Sequence, residues 1–175
     1  MQKMFVKGII DEDFVNYKKP VMYIAFPCCS FKCDKENGAR YCQNWEVARK
    51  PSIEVDPIDL VKRYISNPIT KGVVLSGLEP FDTPDQVLDF VRTFRVFSND
   101  PIVIFTGYTE EELDNGCFFH CDRHMLNKAY WNKVKSYGII VKFGRFRPNQ
   151  EPHYDEVLGV NLISDNQYAK EFPKI

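Results

Sequence analysis

The sequence predicts an α/β fold with a mostly parallel sheet, arranged as an open sheet or a partial barrel. Short, continuously apolar runs recur along the chain, and such runs are typical of strands buried on both faces of a parallel sheet. Between them lie segments with apolar residues every three or four positions, which is the pattern of amphipathic helices. The five strands predicted in this way are too few for a closed eight-stranded barrel.

Each predicted strand is an apolar run bounded by turn residues. VMYIAF follows Pro20, GVVLSG ends at a Gly-Leu-Glu-Pro turn, and PIVIFTG ends at Gly107. YGIIVKF and the short run LGVNLI complete the series, and the alternating segment 1–19 indicates a leading strand or hairpin. The strands are therefore placed at 21–26, 72–77, 101–107, 137–143 and 158–163.

The segments between these strands carry helix signals. Asp56-Pro57 pairs an N-cap residue with proline at the first helical position, and an apolar stripe then runs to Asn67. Thr83-Pro84 opens a second helix, Thr109 precedes an acidic first turn, and 127–136 forms the last helix. Strands that alternate with helices at this pitch predict βαβ units.

The overall composition is that of a globular protein with a single domain, residues 1–175. Apolar residues make up 44% and charged residues 27%, and 23 basic against 24 acidic residues give a formal charge of −1. This balance lacks the basic footprint of a nucleic-acid binder. No apolar run approaches the roughly 20 residues of a membrane span, and the N-terminus lacks the apolar core of a signal peptide. We therefore expect a cytoplasmic protein with no nucleic-acid or membrane partner.

Four of the six cysteines lie within fifteen residues, in the loop that follows the strand at 21–26. In a reducing compartment, clustered cysteines are more often ligands or catalysts than disulfides. Three residues separate Cys29 from Cys33, and eight more separate Cys33 from Cys42. Three thiolates converging from one loop favour an iron–sulfur cluster. A [4Fe–4S] cluster held by three thiolates has one iron open for a small molecule or a fourth ligand.

Two further loops are expected beside the cysteine loop. Ligands of parallel α/β sheets gather where strands end and helices begin. The second strand ends at Ser-Gly-Leu-Glu-Pro, which supplies Gly77 for close backbone approach and the Glu79 carboxylate. The third strand ends at a Thr-Gly-Tyr-Thr turn that begins with Thr106. Three separate segments thus predict one site at one edge of the sheet.

These motifs resemble, in kind and in order, the radical S-adenosylmethionine superfamily and, more narrowly, the activating enzymes of anaerobic ribonucleotide reductases. That family has a Cys-x3-Cys-x2-Cys motif with an aromatic residue before the last cysteine. CSFKC and YCQN match its two parts, VVLSGLEP matches the strand and Gly-Gly-Glu-Pro loop, and IFTGYTEEEL is similar to a run in the same activases. Gly144–Phe146 and Ser164–Gln167 are similar to C-terminal segments, so the resemblance spans 21–167.

The resemblance implies a partial (β/α) barrel of the radical S-adenosylmethionine type. It implies that Cys29, Cys33 and Cys42 bind three irons of a [4Fe–4S] cluster, and that S-adenosylmethionine chelates the fourth iron. Tyr41 would lie near the adenine, and Glu79 near the methionyl amino group. The cofactor-binding residues implied by the resemblance are Tyr41, Gly77, Leu78, Glu79 and Thr106.

The resemblance also implies a reaction and its partners. One electron from the reduced cluster would cleave S-adenosylmethionine to methionine and a 5′-deoxyadenosyl radical. That radical would abstract hydrogen from a backbone glycine of a large glycyl radical enzyme, an anaerobic ribonucleotide reductase. The implied electron donor is a small redox protein such as a flavodoxin or a ferredoxin. The short chain fits this role, because the partner must supply much of the pocket.

Two features depart from the family pattern. Residues 35–40 form a six-residue insertion between the second and third cluster cysteines, and the Asn37-Gly38 turn pair lets it leave and return as a small excursion. Two doublings of the spacer cost about 1.2 kcal/mol of closure entropy. Leu78 stands where the family has its second glycine, and its side chain restricts the backbone that contacts the methionyl amino group.

Several alternatives stay open at the level of sequence. Cys28 can replace Cys29 as the first ligand. The whole loop can hold structural zinc in a non-catalytic interaction domain. A radical enzyme acting on a small molecule, similar to 7-carboxy-7-deazaguanine synthase, would need no protein partner. A second group can bind metal or form a half-buried helix face or a partner-contacting surface, and its members are Cys117, His120, Cys121 and His124.

Overall fold

A computed structural model of the protein describes residues 3–118 and 124–175. Its centre is a six-stranded sheet in the order β10-β7-β6-β5-β3-β2. The strands of this sheet are β2 (Gly8–Asp13), β3 (Val21–Phe26), β5 (Val73–Gly77), β6 (Ile102–Phe105), β7 (Tyr137–Phe143) and β10 (Tyr168–Lys174). Two small two-stranded sheets accompany it, and they pair β1 (Met4–Val6) with β4 (Ile53–Val55) and β8 (His153–Asp155) with β9 (Val160–Leu162).

Strands β3, β5, β6 and β7 are parallel, and β2 and β10 close the two edges of the sheet as antiparallel strands. In register, Phe26 lies opposite Gly77, and Phe105 lies opposite Lys142. The predicted α/β class and mostly parallel sheet are therefore confirmed. The six-stranded sheet has two free edges, which makes it an open sheet.

Helices connect the parallel strands in the predicted order. The described helices are α1 (Lys32–Asn37), α2 (Trp45–Arg49), α3 (Pro57–Ser66), α4 (Pro84–Phe97), α5 (Glu110–Asp114) and α6 (His124–Lys135), with a 3-10 turn at Pro80–Asp82. The Asp56 side chain accepts a hydrogen bond from the amide of Ile58, as expected for an N-cap. Thr109 and Glu112 form a reciprocal capping box at α5. Local capping chemistry thus fixes where these helices begin.

The two faces of the central sheet are covered differently. One face packs against the helices in a large apolar core that includes Trp131 and Phe90, both fully buried. A smaller cluster covers the other face, and Val74, Val103 and Ile140 supply its strand residues. No residue of this cluster lies in a helix, so we call this side of the sheet the helix-free face. Side chains alternate between the two faces of a strand, so Lys142, two positions after Ile140, also lies on the helix-free face.

The fifth predicted strand and the leading segment differ in part from expectation. Segment 158–163 forms only β9, which pairs with β8 rather than with the central sheet, so its expected place in that sheet is wrong. The leading segment forms β1 and β2, in agreement with the expected strand, and β2 pairs with β3 as an antiparallel neighbour. The edge strand β10 was not predicted. No helix in the described part of the chain is long and apolar enough to cross a membrane.

Candidate functional site

A cavity of about 320 Å³ opens at the carboxyl ends of the parallel strands. Its floor comes from the helix-free face of the sheet, through Tyr23, Ser76, Phe105 and Lys142. Its walls come from the loops that follow β3, β5, β6 and β7. The volume lies at the small end of the range for small-molecule sites. The three loops predicted to share one sheet edge therefore meet in one cavity.

Cys29, Cys33 and Cys42 all line this cavity. The Phe31 amide donates to Cys29 Sγ at 3.2 Å, and the Asn44 amide donates to Cys42 Sγ at 3.4 Å. Amide donors to sulfur are one means by which proteins tune an iron–sulfur cluster. Cys28, in contrast, is exposed, and its carbonyl accepts from the Glu79 amide at 2.7 Å. The structure thus brings Cys29, and not Cys28, together with the other two thiols.

The cavity disfavours the thiolate form of these three cysteines. Burial raises the pKa of Cys29 far above its usual range, and the nearby Glu79 carboxylate raises it further. Burial also raises the pKa of Cys33 and of Cys42. Metal binding to such thiols releases protons, because the thiolate is the ligand.

A single carboxylate organises the long spacer between the second and third cysteines. Asp34 Oδ1 accepts from the amides of Tyr41 and Cys42 at 2.8 and 2.7 Å, and its Oδ2 accepts from Trp45 Nε1 at 2.7 Å. These bonds tie the start of α1 to the residues around Cys42. Asp34 therefore brings the ends of the spacer together.

The insertion at 35–40 is helical at its start rather than a simple excursion. Helix α1 runs through Asn37 and ends at Gly38, whose φ of 68° is the left-handed conformation of a helix C-cap. Asn37 Nδ2 donates to the carbonyl of Cys33 at 2.7 Å and to that of Phe146 at 3.3 Å. The Arg40 guanidinium lies 3.8 Å from the centroid of the Trp45 ring. The insertion is thus packed against the cysteine loop.

Glu79 is buried at the cavity wall with its oxygens held by protein donors. Oε1 accepts from the Phe81 amide at 3.0 Å and from Thr106 Oγ1 at 2.8 Å, and Oε2 accepts from the Gly107 amide at 2.8 Å. Burial, with the charge of Asp82, raises the pKa of Glu79 to about 8, against the effect of these three bonds. A carboxylate has about four acceptor positions, so one remains for a ligand.

Gly77 is required by the packing of β5 against β3. A Cβ at this position would lie 2.6 Å from Ala25 Cα, and the residue has a φ of 85°. Leu78 lines the cavity, and its amide donates to the carbonyl of Phe26 at 3.3 Å. Its φ is not positive, so the leucine side chain introduces no backbone strain there.

Thr106 and Tyr41, the remaining predicted residues, differ in placement. Thr106 is buried beside Glu79, and its hydroxyl also accepts from the Tyr108 amide at 3.0 Å. The Tyr41 side chain is 43% exposed and does not line the cavity, although its amide belongs to the Asp34 network. The structure therefore brings together all of the predicted site residues except Tyr41.

Asp82 connects the loops around the cavity through hydrogen bonds, and it was not identified as a site residue from the sequence. Its Oδ1 accepts from the Tyr108 hydroxyl at 2.5 Å, and its Oδ2 accepts from the Ser30 amide at 2.7 Å. Burial raises the pKa of Asp82 and that of Tyr108. These two bonds connect the cysteine loop with the loops that follow β5 and β6. Nothing in the local sequence around Asp82 indicated this contact.

Arg145 joins the insertion to helix α5. Its guanidinium makes a two-point contact with Glu112 at 2.8 and 2.9 Å, and its Nε lies 3.3 Å from Glu36 Oε1. Bidentate contacts of this kind are geometrically specific. Glu36 belongs to the inserted residues, so the insertion is held on the loop that follows β7.

Lys142 and Gln167 line the cavity and were also missed. Lys142 is 9% exposed, burial lowers its pKa to about 8, and its Nζ donates to the Gly144 carbonyl at 3.1 Å. Gln167 is 4% exposed, and its Nε2 donates to the same carbonyl at 3.2 Å. A lysine inside an apolar strand was the signal that could have revealed this position, because lysine is seldom buried.

The donor set suits a cluster with an open iron. Three thiols from one loop line one cavity. Among residues 3–118 and 124–175, no three His, Cys, Asp or Glu side chains are close enough to hold one metal ion. That finding concerns single ions and is compatible with a cluster, whose thiolates bind separate irons.

The second cysteine and histidine group can be placed only in part. Cys117 is half-buried and follows the end of α5, outside any helix. His120 and Cys121 lie outside the described residues, as does the side chain of His124. Metal binding by this group stays a prediction.

Comparisons with known proteins agree with the cysteine site. The model of the 4Fe-4S single cluster domain family matches residues 21–154 of this chain. The matched segment covers most of the 175 residues and includes the cysteine loop and the loops after β5, β6 and β7. A comparison with curated proteins found no match. The chain therefore belongs to the 4Fe-4S single cluster domain family.

Proposed function

From this family membership, we propose that the chain is a radical S-adenosylmethionine enzyme, and that its open sheet corresponds to the partial (β/α) barrel of that superfamily. Cys29, Cys33 and Cys42 hold a [4Fe–4S] cluster, and the open iron takes S-adenosylmethionine. One observation carries the proposal: three thiols and the Glu79 loop line the same cavity at the carboxyl ends of the parallel strands. When bound, the reduced cluster and S-adenosylmethionine would supply one-electron chemistry, in which reductive cleavage of the sulfonium bond comes before hydrogen abstraction from the substrate.

The protein residues in this proposal bind and orient the cofactors. Glu79 accepts the methionyl ammonium at its remaining acceptor position, while Thr106 and the Gly107 amide fix the carboxylate in place. Gly77 lets β5 approach β3 closely, so that the two loops stand side by side. The Phe31 and Asn44 amides donate to two sulfurs and thereby influence the cluster potential.

The proposed substrate is a backbone glycine of a large glycyl radical enzyme, an anaerobic ribonucleotide reductase. The motif order of the sequence supports this choice, because it is similar to that of the activases. The cavity is open and modest in size, which suits a glycine-bearing segment of a large partner protein, because the partner itself can cover the open side of the cavity. A flavodoxin or ferredoxin is the proposed electron donor, and the proposed location is the cytoplasm.

The proposal is tested with anaerobically purified protein reconstituted with iron and sulfide. We expect a low-temperature EPR signal of a reduced [4Fe–4S] cluster that changes when S-adenosylmethionine is added. Addition of the partner should then give a glycyl radical signal, while a variant with Cys29, Cys33 and Cys42 replaced by Ala should give none. A protein that holds zinc and no cluster would contradict the proposal. Turnover without a protein partner would instead favour a small-molecule substrate.

A further inference from the structure

The Phe31 and Trp45 rings form a stack that reaches from the surface of the cysteine loop to its sulfurs. The ring centroids are 4.0 Å apart, and the ring planes are within 3° of parallel. The Phe31 amide donates to Cys29 Sγ at 3.2 Å, and the amide of Asn44, the residue before Trp45, donates to Cys42 Sγ at 3.4 Å. Both aromatic residues are half-buried. Continuous contacts therefore join the outside of the loop to two of the proposed cluster ligands.

Exposed cations surround this stack. The Arg40 guanidinium lies 3.8 Å from the centroid of the Trp45 ring. Arg49 follows Trp45 by four residues on helix α2, so the two side chains lie on the same helix face. Lys35 lies one turn along α1 from Phe31, and its amide donates to the Phe31 carbonyl at 3.2 Å. We call the exposed surface formed by these three cations and Trp45 the basic face.

The charge of the basic face is not neutralised within the described part of the chain, where none of its three cations forms an ion pair. Of the carboxylates in segment 31–50, Asp34 accepts the hydrogen bonds of the loop and Glu36 pairs with Arg145. Only Glu46 is left to oppose the cations among the described residues of this segment. A local excess of positive charge attracts a partner of negative charge.

We propose that the basic face docks a small acidic redox protein, which passes one electron through the Trp45 and Phe31 rings to the cluster. This inference rests on the proposed function for the cluster that receives the electron. The flavin or iron–sulfur centre of the donor is oxidised by one electron and the cluster is reduced by one. No bond forms or breaks, and no proton moves in this step.

The proposal gives the insertion at 35–40 a role. Lys35 and Arg40 both belong to the insertion, and the backbone of Arg40 places its guanidinium on the Trp45 ring. A two-residue spacer has no room for either cation. The insertion therefore supplies most of the positive charge of the basic face at the point where the stack reaches the surface.

The first measurement uses the reconstituted wild type and an acidic flavodoxin as the probe. A carbodiimide joins carboxylates of one protein to lysines of the other, and mass spectrometry identifies the lysines. We expect cross-links at Lys35 that disappear at high salt. Lys62 on α3 is the control, because its side chain is 70% exposed and open to the same reaction. Cross-links at Lys62 as frequent as those at Lys35 would contradict the proposed surface.

The second measurement is the affinity of flavodoxin for charge-reversed variants, by calorimetry on protein of equal iron content. At an ionic strength of about 0.05 M, the double variant Lys35→Glu, Arg40→Glu should bind at least about tenfold more weakly than the wild type. At about 0.5 M the difference should shrink to about threefold or less, because salt screens exposed charges. Lys62→Glu should bind within about twofold of the wild type at both. Equal affinity of the double variant and the wild type would overturn the docking surface.

The third measurement tests the stack with two variants at one position. Trp45→Phe and Trp45→Leu both lose the hydrogen bond to Asp34 Oδ2, and only Trp45→Phe retains a ring. With saturating reduced flavodoxin, stopped-flow absorbance should show that Trp45→Phe keeps most of the wild-type rate of cluster reduction and that Trp45→Leu loses most of it. Dithionite, which needs no docking surface, should reduce both variants alike. Equal rates for the two variants with flavodoxin would exclude the rings as the route.

The outcomes separate this proposal from the proposed function. Salt-sensitive docking at Lys35 in a protein whose EPR signal ignores S-adenosylmethionine would leave the basic face standing and contradict the proposed function. An EPR signal that responds to S-adenosylmethionine, in a protein whose double variant binds flavodoxin as the wild type does, would overturn the basic face alone. Cross-links from Lys35 to the glycyl radical enzyme but not to flavodoxin would also overturn it.

Discussion

The Asp34 carboxylate gives the sharpest test of how the cysteine loop is held. Replacing Asp34 with Ala removes three hydrogen bonds, two from backbone amides and one from Trp45 Nε1. At about 1 kcal/mol each, the loss of these bonds should destabilise the folded conformation of the cysteine loop by about 3 kcal/mol. Asp34→Asn retains an oxygen for the two amides but faces Trp45 Nε1 with a second donor, so it should cost about 1 kcal/mol.

These costs convert into rates of cluster loss, because the Asp34 network includes the amide of Cys42 itself. A ferrous chelator added under anaerobic conditions should remove iron from Asp34→Ala about a hundredfold faster than from the wild type. For Asp34→Asn the increase should be about fivefold. Asp89→Ala serves as the control, since Asp89 forms an ion pair with Arg92 one turn along α4, and its loss should leave the rate unchanged. Equal rates for Asp34→Ala and the wild type would refute the reasoning.

Three further predictions concern packing, ligand binding and pH. Gly77→Ala should destabilise the protein by about 2 kcal/mol or more, measured by urea unfolding, because its Cβ would overlap Ala25; a midpoint equal to that of the wild type would contradict this. Glu79→Gln should keep its iron but bind S-adenosylmethionine at least about tenfold more weakly by calorimetry; wild-type affinity would exclude Glu79 as a ligand-binding residue. Although burial opposes it, the contacts with Lys135 and Trp131 lower the pKa of Asp114, so its stabilising contribution is present above about pH 4 and lost as the pH falls through its folded-state pKa. Asp114→Asn should therefore lower stability by at most about 1 kcal/mol at pH 7, since Asp114 is half exposed, and the difference between its thermal midpoint and that of the wild type should shrink toward pH 3.

The parallel core of the fold was predictable because its strands carry their own signal. Val21–Phe26 and Val73–Gly77 are apolar on both faces, and only a strand covered on both sides needs that pattern. The edge strand Tyr168–Lys174 has no such signal, since it is charged, exposed and contains Pro173. It forms because Phe172 packs on Trp131 at a ring distance of 5.5 Å. Contacts of that kind join distant segments and cannot be read from either segment alone.

The site was predictable to the same extent and for the same reason. Parallel topology alone brings the ends of β3, β5 and β6 to one edge, so the cysteines, Glu79 and Thr106 could be placed together. A lysine inside the apolar strand β7 was the one signal for Lys142, whereas Gln167 comes from the segment before β10 and carries no such signal. Their arrangement depends on a shared contact with the Gly144 carbonyl. Tyr41 was placed by motif rather than by topology, and its side chain lies outside the cavity.

The insertion shows why spacing is a poor measure of a cysteine site. Lengthening the spacer costs about 1.2 kcal/mol of closure entropy, whereas the Asp34 bonds alone offset about 3 kcal/mol. Asn37 adds two further bonds, and the Phe31 and Trp45 rings stack at 4.0 Å across the two ends of the spacer. The loop can therefore carry six extra residues while Cys33 and Cys42 still line the same cavity. A cluster requires the three thiols to lie at the right positions. In this chain, local contacts within the eight-residue spacer hold Cys33 and Cys42 in those positions, so the two-residue spacing of the family motif is not needed.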